Sequence, residues 1–404
     1  MFHINADRFG YNRAKKRTAT TIQAASGSFR KLDHAILEII VSHLEDTNLF
    51  APRQTFMYIA TATQTPFARQ CLHTIRTDFS LYSLERIGFL SQNPNYTSHI
   101  QALLVYSAEG HKATGSERWK VVLRRLYQCT NFKIRRNTGG DITRQAPPIT
   151  FDDALELLLR LISQAGIHVR SFTLDPAPGS GCAIYSLTPI DKRIFNTGEF
   201  VRAWRGVEEL TISHVEPLAV HARDLTVLAG RFRKLDLSLW LGPSAFSDAL
   251  FATVFPRLRE LALATSAPSA PPLTAHVVER DPLRRFLWRH WGGLRRVELS
   301  RIQLKEDSWV PVFRTLRKCQ ALAEIVFDSL FVTAFGKIVV HFPQVEQNPV
   351  VDSLSGGVFE YKTILIGSLY VGGEWNRVVT FVRYKGAMMD VALERVLDCD
   401  RVGY

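Results

Sequence analysis

Three stretches, VEELTI at 207–212, FRKLDL at 232–237 and LRELAL at 258–263, decide how this chain folds. Each places apolar residues first, fourth and sixth: Val207, Leu210 and Ile212; Phe232, Leu235 and Leu237; Leu258, Leu261 and Leu263. The last two alternate as in a strand with one buried face. The pattern returns at Ile100, Leu103 and Val105; at Val169, Phe172 and Leu174; at Leu294, Val297 and Leu299; and at Leu322, Ile325 and Phe327. With 46% hydrophobic residues, one match arises by chance in roughly one window in ten. Seven matches, mostly with polar residues between the apolar ones, define a repeat.

The copies at 207, 232 and 258 follow one another at 25 and 26 residues, inside the spacing of leucine-rich repeats. Longer separations require loop insertions, expected at 131–148, 175–189 and 265–272. Between copies lie amphipathic helices. Asp281-Pro282 reads as an N-cap with proline at the first helical position, and Gly292-Gly293 as the stop. Leu283, Phe286, Leu287 and Trp291 are expected on one buried face; Trp309, Val312, Phe313 and Leu316, then Phe246, Leu250 and Val254, repeat the device. One strand and one helix cannot bury their apolar faces alone, whereas stacked units form a continuous core. The fold class expected is therefore α/β, an irregular β/α solenoid. At its end, 361–370 and 377–384 should pair as strands across Gly372-Gly373, followed by a helix near 391–397. This segment, 341–404, is expected to cap the stack.

Upstream the pattern differs. Residues 1–29 read as a flexible basic tail in which Arg13, Lys15, Lys16 and Arg17 cluster. Over 30–80, Leu32, Ile36, Leu37, Ile40, Val41 and Leu44 recur at helical spacing, and a second helical stretch runs through Met57, Ile59, Phe67 and Leu72. A third helix is expected over 81–92, ended by Asn93 and Pro94, and the repeats occupy 81–340.

The chain carries 50 basic and 38 acidic side chains, a net charge of +12, which favours acidic partners without choosing among them. Five cysteines, widely spaced and with no C-x-x-C pair, argue against disulfides or a thiolate metal site and for a reducing compartment, cytoplasmic or nuclear. No apolar run reaches membrane-spanning length. Phosphate loop, dinucleotide fingerprint, nucleophile elbow and zinc-protease motif are all missing. We therefore expect a non-enzymatic protein with no metal or cofactor. Arg284, Arg285, Trp288, Arg289, His290, Arg295 and Arg296 mix cations with aromatics. Because Phe286, Leu287 and Trp291 read as a buried helix face, the arginines read as its solvated side, and nucleic acid is disfavoured as a partner.

Helices followed by irregular leucine-rich units resemble the fungal F-box proteins with degenerate leucine-rich repeats. LDHAILEIIVSHL at 32–44 is similar to that family's opening helix, with Asp33 where proline is usual and Ala35 where glutamate is usual. The stretch 281–331 is similar to its late repeats. The resemblance implies a substrate-recognition subunit of a Skp–cullin–F-box ubiquitin ligase. Leu32, Ile36, Leu37, Ile40 and Leu44 would then meet the Skp-type adaptor that joins the chain to the cullin core. A protein substrate, unidentified, would meet the concave strand face through the residues alternating with the apolar ones: Glu209, Thr211, Lys234, Asp236, Glu260, Arg296, Glu298, Glu324 and Asp328. The alternative is a leucine-rich interaction scaffold with no ligase role.

Overall fold

The computed structural model describes Ile36 and residues 64–107, 115–136, 150–176, 185–186, 191–195, 197–216, 230–239, 245–265, 277–278, 280–305, 308–333, 337–342, 358–371, 374–386, 389–397 and 400–403. The chain divides into two compact units, Met1–His73 with Asn93–His99, and Thr74–Gln92 with Ile100–Tyr404. In the first lie helix α1 (Gln64–Cys71) and the single turn α3 (Pro94–Thr97). The latter starts where the Asn93 side chain accepts from the Asn95 N–H with Pro94 in the first turn.

The second unit is mixed α/β, with a large and mostly parallel sheet. Strands β1 (Thr74–Thr77), β2 (Ala102–Ser107), β3 (Asn131–Arg136), β4 (Ser171–Asp175), β6 (Glu209–Glu216), β7 (Lys234–Leu239), β8 (Glu260–Thr265), β10 (Arg296–Ser300) and β12 (Glu324–Asp328) lie side by side in chain order, each parallel to the next. The two-residue β5 (Tyr185–Ser186) pairs beside β6. Helices α2 (Leu81–Ser91), α4 (Ser116–Arg125), α5 (Phe151–Ala165), α6 (Lys192–Phe195), α7 (Gly198–Ala203), α8 (Ala245–Ala252), α9 (Arg280–Arg289) and α10 (Val310–Arg317) supply the crossovers. Neighbours among them, α2 with α4, α4 with α5, α8 with α9 and α9 with α10, pack against each other. A parallel pair requires such a crossover, and repeating it with one handedness lays every helix on the same face.

Register explains the repeat. Leu103, Phe132, Phe172, Leu210, Leu235, Leu261, Val297 and Ile325 form one row across the sheet. Val105, Ile134, Leu174, Ile212, Leu237, Leu263, Leu299 and Phe327 form the next, and all of these except Ile212 are buried. A second device holds the units together. The carbonyl just before each strand accepts two N–H groups from the following unit: Gln101 from Thr130 and Asn131, Thr130 from Arg170 and Ser171, Arg170 from Glu208 and Glu209. Glu208, Arg233, Arg259 and Arg295 continue this ladder to Glu324.

Two strands lie beyond the seven copies read above. Residues 131–148 were expected to be a loop, yet Cys129, Phe132 and Ile134 carry the repeat, are buried, and make 131–136 strand β3. Cysteine in the first position hides the pattern because it packs there as a small hydrophobe; burial pushes its thiol up to about 12. Strand β1 carries only Ile75 inward before Thr77. The last two units continue past their strands. Arg301 and Ser329, both at positive φ, turn the chain into β11 (Gln303–Leu304) and β13 (Phe331–Thr333). With β9 (Val277–Val278), β14 (Lys337–His341) and β17 (Asp400–Gly403) these form a second sheet of five strands.

The helices depart from expectation at their ends. Helix α9 begins at Arg280, so Asp281 stands inside its first turn instead of capping it. Leu283, Phe286 and Leu287 are fully buried, but Trp291 falls beyond the helix and is 38% exposed. His290 takes the buried place. Val254 likewise lies past the end of α8 and is exposed. Among the described glycines only Gly115 and Gly166 take positive φ, so Gly293 is no left-handed cap. A Cβ there would come within 3.0 Å of the Leu258 carbonyl, and close approach of adjacent units is its reason. At the far edge β15 (Val358–Val371) and β16 (Glu374–Lys385) pair antiparallel, and β16 pairs with β12. This covers the last parallel strand, and α11 (Met389–Leu397) packs on α10.

The turn from β1 into α2 is held by one carboxylate. Asp78 accepts from the Ser80 N–H and from the hydroxyls of Ser80 and Ser83, while the Ser80 hydroxyl caps the Ser83 N–H. Burial works to raise its pKa, but these hydrogen bonds outweigh burial and hold it below the usual value. A depressed carboxylate pKa contributes stability above about pH 4, lost as pH falls through the folded-state value. Asp78→Ala is expected to cost about 1–2 kcal/mol at pH 7 and less at pH 3. Urea unfolding at both pH values checks this; equal losses would show that the ionised form has no special role.

Candidate functional site: the open face of the sheet

One face of the parallel sheet is buried under helices; on the other, here called the open face, the described residues are mostly part-exposed, with Leu104 and Val326 buried. All nine residues expected on the strand face lie on the open side, because each alternates with a buried neighbour. Register sorts them into rows. Glu209, Lys234, Glu260, Arg296 and Glu324 are consecutive neighbours in one row, and Lys385 from the antiparallel β16 completes it. Charge therefore alternates in sign over six adjacent strands. Thr211, Asp236, Ala262, Glu298, Val326 and Arg383 form the second row. Asp328 stands in a third, beside Ser300 and Phe381, and accepts from the Ser329 hydroxyl at 2.8 Å.

The rows are bound crosswise. Arg296 donates to Glu298 at 2.9 Å and lies 3.7 Å from Glu324. Arg383 donates to Glu324 through two nitrogens, at 2.8 and 3.0 Å, and reaches Glu360 at 3.4 Å. Glu324 is the hub, its side chain only 13% exposed. Asp236 differs: burial raises its pKa against the opposing charges of Lys234 and Arg296. Its side chain makes no hydrogen bond or ion pair among the described residues. Farther along, Arg135 pairs with Asp175 at 2.9 Å and Lys133 lies 4.0 Å from the same carboxylate.

Arg383, Glu360, Lys385, Lys133 and Arg135 belong to this face and were not legible as part of it. The first three come from the hairpin, where only antiparallel pairing decides which residues align with the repeats. The last two sit on β3, findable had Cys129-x-x-Phe132-x-Ile134 been accepted as a copy.

The adaptor-binding residues Leu32, Leu37, Ile40 and Leu44 lie outside the described residues. Ile36 is helical and 47% exposed. His290, counted above within a cationic cluster, is instead buried and hydrogen-bonded on both ring nitrogens. Among the described residues no group of histidine, cysteine or carboxylate side chains could hold a metal ion, and no helix is long and apolar enough to cross a membrane. A groove of about 220 Å³ lined by Arg160, Ser163, Asp191, Arg193 and Thr197 falls short of the volume typical of small-molecule sites. The chemistry on offer is that of a broad, charged surface.

No protein-family model matches the chain, and no curated protein sequence is significantly similar to it.

Proposed function

We propose that this chain is a recognition subunit of a Skp–cullin–F-box ubiquitin ligase, with a leucine-rich β/α solenoid holding a protein substrate on its open face. The observation that carries the recognition half is the alternating row Glu209, Lys234, Glu260, Arg296, Glu324 and Lys385 on six adjacent strands. Strands are spaced at about 4.8 Å, so the row offers a rigid, fixed sequence of charges to an extended segment of complementary pattern. Such surfaces favour specificity and rate of encounter over raw affinity. The ligase half rests on the resemblance of residues 32–44 to an F-box opening helix, and the exposed Ile36 agrees with an apolar helix face left for a partner.

The test is co-purification of the full chain with a Skp-type adaptor, beside an Ile36→Asp, Ile40→Asp double variant. Retention by the wild type and its loss in a variant with unchanged circular dichroism is expected. Failure of the wild type to retain the adaptor would remove the ligase role and leave an interaction scaffold.

A further inference from the structure

The turns that lead from helices into strands bring a strip of arginines together at one edge of the stack. The carbonyl ladder places the backbones of Arg170, Glu208, Arg233, Arg259 and Arg295 in direct succession, one per unit. Four inter-strand steps make this about 19 Å long. Arg205, Arg231 and Arg257 stand two or three residues ahead of it in the same turns. Glu208 is the one acidic side chain on the ladder, and Arg170 and Arg233 lie beside it at 3.4 and 3.6 Å. Arg289 has a structural use, donating to the Phe251 and Ala252 carbonyls that end α8. The side chains of Arg205, Arg231, Arg257, Arg259 and Arg295 have no hydrogen-bond or ion-pair partner among the described residues.

Helix C-termini attract cations through the macrodipole, but that effect is confined to the last turn. It reaches Arg205, which lies in the 3₁₀ turn Trp204–Gly206 that continues α7. It does not account for Arg231, Arg257, Arg259 and Arg295, which lie outside the described helices, on the strand lead-ins. Five cations with unpaired side chains in successive turns repel one another, and the strip is too long for a single small anion. It fits a polyanion.

Aromatic side chains in or beside the same kind of helix-to-strand turn choose among polyanions. Trp288, in the last turn of α9, and Trp291, just beyond it, stack on each other at 5.9 Å and are 48% and 38% exposed. Lys318, at the end of α10, covers Trp288 at 5.2 Å from the ring centroid. Tyr127, in the turn from α4 to β3, is 62% exposed. Guanidinium groups grip phosphates in a fork geometry, and exposed rings stack on unpaired bases. Acidic residues alone leave the rings unused, whereas unpaired bases use rings and cations together, and a duplex keeps its bases out of their reach. The exposure of Trp291 removes the ground on which nucleic acid was disfavoured. We infer that this edge binds single-stranded nucleic acid, with Arg205, Arg231, Arg257, Arg259 and Arg295 on the phosphates and Trp291 on a base. The edge adjoins the first row of the open face, Arg259 preceding Glu260 and Arg295 preceding Arg296, but the inference does not depend on the ligase reading.

The experiment is fluorescence anisotropy of the full chain with a labelled 12-nucleotide oligouridylate, beside a labelled oligoglutamate of equal charge. Five phosphate contacts should give a slope of log affinity against log salt of about −3.5, or roughly 100-fold weaker binding from 50 to 200 mM salt. An Arg257→Gln, Arg259→Gln, Arg295→Gln variant should flatten that slope by about 2. Trp291→Ala should weaken oligouridylate binding by roughly tenfold, while Trp291→Tyr, which keeps a ring, retains it. No binding at 50 mM salt overturns the inference. So does oligoglutamate binding as tightly as oligouridylate with neither weakened by Trp291→Ala, which would mark the edge as a docking site for acidic protein.

Discussion

Trp309→Ala is expected to lower the unfolding free energy of the C-terminal units by about 4 kcal/mol. Trp309 is 1% exposed, stacks on Phe313 at 5.9 Å, and donates its indole N–H to the Phe331 carbonyl at 2.8 Å. Phe313 in turn packs on Phe327 of β12 at 5.0 Å. Alanine would leave a cavity between α10 and both sheets and remove the tie to β13. If the units are coupled only through their neighbours, the damage stays local. Hydrogen exchange is expected to accelerate in β10, β12 and β13 and to stay at wild-type rates in β2 and β3. Acceleration spread evenly over all strands would mean that the sheet unfolds as one body and that neighbour-only coupling is wrong.

His290→Ala is expected to cost about 2–3 kcal/mol at pH 7, because it orphans a buried donor and a buried acceptor together. Imidazole Nε2 accepts from the Phe255 N–H at 2.8 Å, and Nδ1 lies 2.6 Å from the Phe286 carbonyl. These partners assign the neutral tautomer with its proton on Nδ1. The ring thereby joins the end of α9 to the turn of the preceding unit. Burial pushes its pKa below the usual value; the Phe286 carbonyl pulls the other way, and the Arg289 charge adds to the lowering. A base whose folded pKa is depressed binds fewer protons when folded. Its stability is complete above about pH 6.5 and is lost as pH falls toward the folded-state value. Wild-type unfolding midpoints should therefore drop between pH 7 and pH 5, and more steeply than those of His290→Ala. Parallel pH profiles would show that protonation of this ring plays no part.

How much of this was legible before folding can be judged residue by residue. The pairs Leu210 and Ile212, Leu235 and Leu237, Leu261 and Leu263 are enough to predict strands, because a period of two with one apolar face has few other uses. The hairpin at 358–385 and helix α11 were likewise readable from alternation and helical spacing. Strand β3 was hidden by one cysteine and by the cations around it, which made a half-buried strand look like a basic loop. Trp291 was misplaced because a helical period was carried two residues past Arg289, where the helix ends. The charged row was foreseen as far as Glu324, but Lys385 and Arg383 were not.

The sequence by itself determined which residues go inward, since burial of apolar area is local in origin and follows the period of each element. It thus determined the class of the fold, repeated strands and helices with one open strand face. Only the tertiary structure decided what lies beside what. The succession of bifurcated carbonyls aligns Glu209 with Lys234 and Arg259 with Arg295, and antiparallel pairing with β12 brings Arg383 to Glu324. These contacts join residues tens of positions apart, and charged side chains carry no period that announces their partners. Whether an arginine ends as the solvated side of a helix or as part of a strip therefore waits on the stacking of the units.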